Sequence, residues 1–545
     1  MSASDKKKLR AAERAEKLTE KQQTEQKEAK KLKLYTRAFV VILALMICFA
    51  AYTAVTKTIE GSGVREKNTV AVTVGNHEIS NAELNYFYID GINQFYNTYG
   101  AYASLLGLDV TKPLNEQVVN EETGTTWADD FIDSAVENAK AVYALNDAAA
   151  AAGFTLSEDD QAEIDSIIEN AAMYAQMYGY EKLDDYLKAM YGFGADEKGY
   201  RSYFEKNYIA DAYQNAYAEA LSYEDADLRE AEAEDYNAYS SYSYNYYYLN
   251  ASSFVDAPSD VPASDYTEDQ IAQGVKDAEA AAKAIVAEDI NTTVALDKVI
   301  AKIAADHTGL NTASSASKDI LSGSISSVYA DWITDAARKA GDMNYFPFTS
   351  TTTDENGNST TVTNGYYVVM FVGSTDNNAP MSNVRHILVS FEGGTTDPTT
   401  GTTTYTDDEK AAAKAEAEAI LNEWKSGAAT EESFAALANE KSDDGDGTTG
   451  GLYEDINPST NFVENFKNWA LAEHKAGDTD IVETEYGYHI MFYSGDSEQT
   501  YRDYMIENDL RTAAINEWYN GLLEATSATV ADTKYINTGL VLSSN

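Results

Sequence analysis

Val384-Arg385-His386-Ile387-Leu388-Val389 and, about a hundred residues later, Tyr486-Gly487-Tyr488-His489-Ile490-Met491-Phe492 are the stretches that decide how this chain is read. Each is a short apolar run bounded by turn residues, which is strand length, and each carries a histidine in its interior. The chain has only five histidines, so two of them on strands point to a sheet on which the imidazoles face other packed groups. Between the runs the pattern predicts a helix over 410–425, a shorter one over 433–438, an acidic glycine-rich loop, the segment Gly450-Gly451-Leu452-Tyr453 and a helix over 462–472. The expected order is strand, helix, helix, strand, helix, strand, strand.

That order is joined by a set of linked motifs: Arg385-His386-Ile387-Leu388-Val389, Phe434 to Ala438, Ser442-Asp443-Asp444, Gly450-Gly451, Phe462 with Phe466, Ala476-Gly477-Asp478 and Tyr486-Gly487-Tyr488-His489. Taken in order, they resemble the parvulin family of peptidyl-prolyl cis/trans isomerases over roughly 383–495, about a fifth of the chain. The departure is at Gly450-Gly451-Leu452-Tyr453-Glu454, where most members carry Asp-Leu-Gly after the glycine pair. The resemblance implies a catalytic group of His386, Asp444 and His489, with the histidines as a mutually oriented pair and Asp444 at a loop position that is Cys or Asp in the family. It implies a proline socket of Phe462 and Phe466 with Leu452 or Tyr453, and Tyr486 among the substrate-binding residues. It implies no cofactor and no metal.

The chain has 545 residues and a formal charge of −49, enough length for several domains. Up to Arg37 there are 12 basic and 6 acidic residues, and afterwards 28 and 83. An acidic body repels phosphates, so nucleic acid is excluded as a partner. The 18 uncharged residues from Ala38 to Val55 follow a basic flank. They predict a single uncleaved transmembrane helix that would make the membrane a partner, with residues 1–37 as a cytoplasmic tail and the body extracytoplasmic. The single cysteine, Cys48, lies within that run, so the body has neither disulfides nor a thiol nucleophile to draw on.

Beyond the run, Val70-Ala71-Val72-Thr73-Val74 alternates as a strand, Gly75-Asn76 turns it, and Ser80-x-x-Glu83 reads as a capping box opening a series of helices. This region, 68–240, resembles the chaperone part of PrsA-like and SurA-like foldases. From Tyr242 a similar pattern precedes the histidine unit. Trp332 to Gly341-Asp342 parallels Trp469 to Gly477-Asp478, and Gly365-Tyr366-Tyr367 parallels Gly487-Tyr488-His489. The expected fold class is therefore α+β and multidomain. It comprises a transmembrane helix at 38–55, the helical domain, a degenerate parvulin-like domain at 241–376, a parvulin domain at 381–496, both with an FKBP-like sheet, and a C-terminal helix in 497–545 packing on the chaperone domain.

Metal chemistry finds little support. An EF-hand register starting at Asp444 places Thr449 where glycine is needed and Asp455 where the bidentate Glu belongs, and His386 with His489 lacks a third zinc ligand at recognisable spacing. The function expected is an isomerase and foldase acting on unfolded or partly folded secreted proteins that contain X-Pro bonds. The alternatives are a non-catalytic holdase that uses these domains only to bind extended chains, and a structural surface protein built from them.

Overall fold

Alternation in Val70-Ala71-Val72-Thr73-Val74 builds strand β1 (Val70–Val74), and Gly75, at φ 54°, turns the chain into β2 (His77–Ser80). The structure, a computed structural model, describes residues 63–542 apart from 259–260, 354–356, 358 and 446, together with positions 4, 6, 7 and 10. It divides into two units, Met1–Ser222 with Arg511–Asn545, and Tyr223–Leu510.

In the first unit, helices α1 (Asn81–Tyr99), α2 (Trp127–Ala152), α3 (Glu158–Met177), α4 (Leu183–Tyr191) and α5 (Glu197–Ala220) follow the hairpin. Ser80 Oγ accepts from the Glu83 amide at 3.2 Å and opens α1. The Glu83 carboxylate is drawn instead to Lys206 Nζ at 2.7 Å and to the Tyr143 hydroxyl, so the capping is one-sided. Reciprocal capping boxes start α2 (Thr126 with Asp129) and α3 (Ser157 with Asp160), and Gly153 at φ 69° ends α2. The core gathers Val72, Leu84, Tyr88, Ile92, Phe131 and Leu187, all buried. A third strand, Ala528–Val530, pairs antiparallel with β1 and places Val530 opposite Val72.

The expectation of a membrane-spanning helix is corrected. Among the described residues no helix is long and apolar enough to cross a membrane, and the run 38–55 lies outside the described residues. Length alone is not lacking: α2 is 26 residues long. It carries Asp129, Asp130, Asp133, Glu137, Lys140 and Asp147 along its exposed face, however, and charges at that density are incompatible with a hydrocarbon core. The single-pass topology, the membrane partner and the membrane localisation drawn from that helix fall with it.

The second unit begins with helix α6 (Asp225–Glu234) and holds two four-stranded antiparallel sheets. The first comprises β3 (Ser241–Asn250), β4 (Ser315–Leu321), β5 (Met343–Thr353) and β6 (Ser359–Thr375) in the order β4-β3-β6-β5. Helices α7 (Glu268–Ala287) and α8 (Thr293–Asp306) pack on one face. Gly274, Ala278 and Ala282 make the buried stripe of α7, and a Cβ at Gly274 would meet the Ala251 carbonyl oxygen at 2.6 Å. Small residues here let the helix approach the sheet closely.

The second sheet comprises β7 (Pro380–Ser390), β8 (Leu452–Ile456), β9 (Thr479–Glu483) and β10 (Gly487–Thr500) in the order β8-β7-β10-β9. Counted along the chain, both sheets run second, first, fourth, third. Strand alternation gives the second sheet two apolar faces. Ile387, Val389, Phe391, Tyr488, Ile490 and Phe492 point toward α9 (Asp407–Ser426) and α10 (Glu431–Lys441), where Ala417, Trp424 and Phe434 meet them. Val384, Met491 and Tyr493 face the other way, toward α11 (Glu464–Ala470), whose Phe466 and Ala470 close a smaller cluster. Both strand histidines lie on this second face.

Candidate active site

His386 on β7 and His489 on β10 belong to neighbouring strands, but in register His386 stands opposite Met491, and His489 opposite Leu388. The two imidazoles are thus a diagonal pair on one face. Their Nδ1 atoms lie 3.1 Å apart, and both side chains are buried. At the outer ends, His489 Nε2 is 2.9 Å from Thr484 Oγ1 and His386 Nε2 is 3.1 Å from Asp444 Oδ2. The Tyr453 hydroxyl donates to the same carboxylate oxygen at 3.1 Å.

One proton arrangement satisfies the whole chain with both rings neutral. Asp444 accepts from His386 Nε2–H, which leaves His386 Nδ1 as acceptor for His489 Nδ1–H, and His489 Nε2 then accepts from the Thr484 hydroxyl. Thr484 Oγ1 also accepts from the Tyr486 amide at 3.2 Å, and of the two acceptors its hydroxyl proton can reach, His489 Nε2 at 2.9 Å is nearer than the Gly487 carbonyl at 3.4 Å. Burial, and next the neighbouring His386, lower the pKa of His489 from 6.5 to about 4, while Asp444 opposes the shift. His489 is therefore neutral at neutral pH.

Local sequence explains how each end is held. The Ser442-Asp443-Asp444 segment runs beside β7: the Asp443 amide donates to the Leu388 carbonyl at 2.9 Å, and Asp443 Oδ2 accepts from the Ser390 amide at 2.8 Å. Ser442 Oγ accepts from the amides of both Leu388 (3.1 Å) and Asp444 (3.2 Å). These bonds leave Asp444 aimed at His386. The glycine pair has a comparable duty. Gly451 sits at φ 65°, where a Cβ would come within 2.1 Å of the His386 carbonyl oxygen, and its own carbonyl accepts from the His386 amide at 2.9 Å. Arg385 Nη1 donates to the carbonyls of Thr449 (3.1 Å) and Gly450 (2.9 Å), and its Nε pairs with Glu431 at 3.0 Å.

An aromatic shell surrounds the pair. Tyr453 stacks on His386 with centroids 5.1 Å apart, and Phe466 stands edge-on to both His386 and His489 at 5.2 and 5.3 Å. Phe462 meets Tyr453 at 4.9 Å and Phe466 at 5.1 Å. Phe466 is buried, whereas Phe462 and Tyr453 are half-buried and so present the accessible apolar surface.

Of the residues singled out from the sequence, the structure brings together His386, Asp444, His489, Tyr453, Phe462 and Phe466. Leu452 is buried and, one residue before Tyr453 on β8, points to the opposite face, so Tyr453 is the one that joins the aromatic group. Tyr486 is 59% exposed at the turn before β10. Sequence reasoning missed Thr484 and Arg385. Thr484 carries no signal apart from its place two residues before the Tyr-Gly-Tyr-His turn. Arg385 lay within a quoted motif, but its carbonyl partners come from a distant loop. Among the described residues, no group of three or more His, Cys, Asp or Glu could hold a metal ion.

The profile of the PPIC-type PPIASE domain matches residues 366–494. Solved structures similar to the chain include PrsA from Bacillus cereus at 24% identity, over 30% of this chain and 57% of that one, with a TM-score of 0.18. PrsA from Bacillus subtilis is similar at 23% identity, over 29% and 55%, with a TM-score of 0.19. A SurA-like chaperone structure from Campylobacter jejuni is similar at 24% identity, over 27% and 53%, with a TM-score of 0.16. The chain spans a little over half the length of these three structures. No curated protein matches it.

The expectation of two tandem parvulin-like domains is thereby corrected to one. The matched span enters the first sheet only through β6, its last strand. The chemistry also differs: by register, Tyr246 on β3 and Tyr367 on β6 occupy the places that His386 and His489 hold in the second sheet. Residues 366–494, with the paired histidines at their centre, carry a PPIC-type (parvulin) peptidyl-prolyl isomerase domain.

Proposed function

We propose that the domain around His386 and His489 catalyses cis/trans isomerisation of X-Pro bonds in unfolded or partly folded polypeptides. The observation that carries this reading is the hydrogen-bonded chain Asp444–His386–His489–Thr484 beneath an accessible Tyr453–Phe462 surface. Rotation about an X-Pro bond costs about 20 kcal/mol because amide resonance is lost, and no covalent bond is broken. A catalyst has to hold the proline ring on an apolar surface, exclude water from the planar amide and favour the twisted state. Half-buried Tyr453 and Phe462 supply the apolar surface, and buried Phe466 backs them. The hydrogen-bonded histidine pair, fixed at both ends, supplies preorganised dipoles beside the rotating carbonyl. No nucleophile is required.

A second reading, binding of unfolded chains without catalysis, is favoured by the first sheet. On the face corresponding to the histidine site it presents half-buried Tyr246, Tyr248, Trp332, Phe346, Phe348 and Tyr367, with contacts such as Tyr246–Tyr367 at 6.3 Å and Phe348–Tyr367 at 5.7 Å. Aromatic rings with polar tips suit adaptable contact with extended chains. A protease-coupled isomerisation assay on the full chain separates the two readings. Acceleration above the spontaneous rate, reduced roughly tenfold or more in His386→Ala and His489→Ala, supports catalysis. No acceleration, combined with suppression of client aggregation, supports the second reading.

A further inference from the structure

Tyr99, Tyr102, Leu105, Leu106, Val118 and Val119 are large apolar side chains left exposed in one stretch of the first unit. Their arrangement follows from the backbone. α1 ends at Tyr99, and Gly100 at φ 42° and Gly107 at φ 87° bound a 3-10 helix of seven residues, Gly100–Leu106. Runs of more than about four residues in this conformation are uncommon, and its winding of about three residues per turn brings side chains at i and i+3 into line. Tyr99, Tyr102 and Leu105 therefore form one row, 44%, 69% and 80% exposed, while Ala103 on the next row is buried. Buried Gln117 holds the hairpin of strands Val118–Asn120 and Thr125–Thr126 to the same turn. Its Oε1 accepts from the Asp109 amide at 2.7 Å, its Nε2 donates to the Lys112 carbonyl at 2.9 Å, and its carbonyl accepts from the Trp127 amide at 2.9 Å. Trp127 in turn meets Phe95 at 5.3 Å, and Phe95 meets Tyr99 at 4.8 Å. The row and the valine pair thus stand on one support. Charge is distributed around them and not among them: Gly91 to Leu108 contains no charged residue, in a chain of net charge −49. From Asp109 to Asp130 there are six acidic residues and one basic, Lys112, which pairs with Asp109 at 2.9 Å. Glu116, Glu121, Glu122 and Asp130 are exposed.

We infer that this patch docks polypeptide segments that have an apolar centre and basic flanks. Single exposed leucines or valines are ordinary, but a contiguous apolar surface rimmed by charge marks an interaction site. The rim selects the occupant. A second copy of this chain, meeting the same patch across a two-fold axis, would set Glu116, Glu121 and Glu122 against themselves, and like charges brought face to face oppose association. A basic-flanked segment meets the same carboxylates with opposite charge while its apolar centre covers Tyr102, Leu105 and Leu106. Tyrosine suits this contact, because its ring gives a large apolar face and its hydroxyl can bond the main chain of whatever sequence lies against it. The inference rests on the reading of this chain as one that acts on unfolded polypeptides, and only for the class of ligand. The patch shares no residue with the histidine site.

The test uses the full chain and a fluorescent, proline-free peptide with an apolar centre and paired lysines at each end, followed by anisotropy. Tyr102→Ser with Leu105→Ser, made together, should weaken binding at least about tenfold, since side chains at the centre of a contact carry most of its energy. Glu116→Lys with Glu121→Lys and Glu122→Lys should weaken the lysine-flanked peptide and strengthen a glutamate-flanked one of the same apolar centre. Unchanged affinity in the folded serine variant, or an unchanged preference between the two peptides in the lysine variant, would overturn the inference. So would a dimer of the unaltered chain in sedimentation velocity that the serine variant abolishes, because the occupant would then be a second copy. If a variant does not fold, hydrogen exchange on the unaltered chain decides: amides of 99–108 should exchange more slowly with saturating lysine-flanked peptide, and unchanged exchange overturns the inference. Turnover of a short prolyl peptide on the same samples reports on the histidine site, so failure of either reading is seen separately.

Discussion

His489 shows how burial of a single ring sets a pH dependence. Its pKa in the folded chain is about 4, below the value of about 6.5 for a solvated imidazole, so between these values the unfolded chain binds the proton and the folded one does not. The stability linked to His489 is complete above about pH 6.5 and falls as the pH drops toward 4, by up to about 3 kcal/mol. Urea midpoints across that window should fall more steeply for the unaltered chain than for His489→Asn, and parallel curves would refute the assignment. Thr484 is the other decisive residue at this scale. Thr484→Val removes the donor to His489 Nε2 and the acceptor of the Tyr486 amide at a stability cost of about 1 kcal/mol. Turnover should drop several-fold while Thr484→Ser retains it, as measured by kcat/KM in the coupled assay. Phe466 belongs to the scaffold more than to the contact surface: it is 3% exposed, so Phe466→Ala should lower stability by about 3 kcal/mol, whereas truncating half-buried Phe462 should chiefly raise KM.

At the scale of elements, the β7–β8 junction and the start of the helix Tyr501–Ala525 are the points where one residue decides a packing. Gly451 has both a left-handed φ and no room for a Cβ beside the His386 carbonyl. Gly451→Ala should therefore push β8 off β7, move Tyr453 away from His386 and cost roughly 2 kcal/mol or more. Chemical denaturation and turnover should fall together. Arg502 is 0% exposed. Its Nη1 donates to the Asp376 carbonyl at 2.9 Å and its Nη2 to the Tyr236 carbonyl at 2.6 Å, its Nε pairs with Glu232 on α6, and its guanidinium lies 3.9 Å from the Tyr236 ring centroid. It thus ties α6 and the connection between β6 and β7 to the helix. Arg502→Met leaves Glu232 and two carbonyls with lost partners and should destabilise the chain by about 3 kcal/mol. A loss below about 0.5 kcal/mol in urea would show that the cluster is slack.

For the whole molecule the governing quantity is charge. A net charge of −49 sets up a field that attracts basic unfolded segments and repels acidic ones. Association with a basic unfolded client should slow markedly between low and physiological ionic strength, while a neutral client should show little change; stopped-flow binding at two salt concentrations reads this directly. Binding and catalysis are also expected to separate. The chain carrying His386→Ala and His489→Ala keeps the aromatic face of the first sheet, so it should still suppress aggregation of a client while losing turnover. Loss of both in a folded double variant would count against the division.

What the sequence determined was local. The two histidine-bearing strands, the Ser80 helix start and the glycine pair declare themselves because alternation, capping and φ preferences act over a few neighbouring residues. Tertiary structure alone decided that Tyr453, and not Leu452, turns to the histidines, and that Thr484 ends their hydrogen-bond chain. It also decided that Arg502, in the helix Tyr501–Ala525, is wholly buried, and that Asn81 and Asn85 meet a segment some 450 residues away. These depend on segments distant in the chain converging on one point, where burial makes every polar group find a partner. Hydropathy, for its part, read a membrane span in 38–55, and no helix among the described residues is long and apolar enough to cross a membrane. A window of apolar residues reports transfer free energy and leaves open which surface buries it.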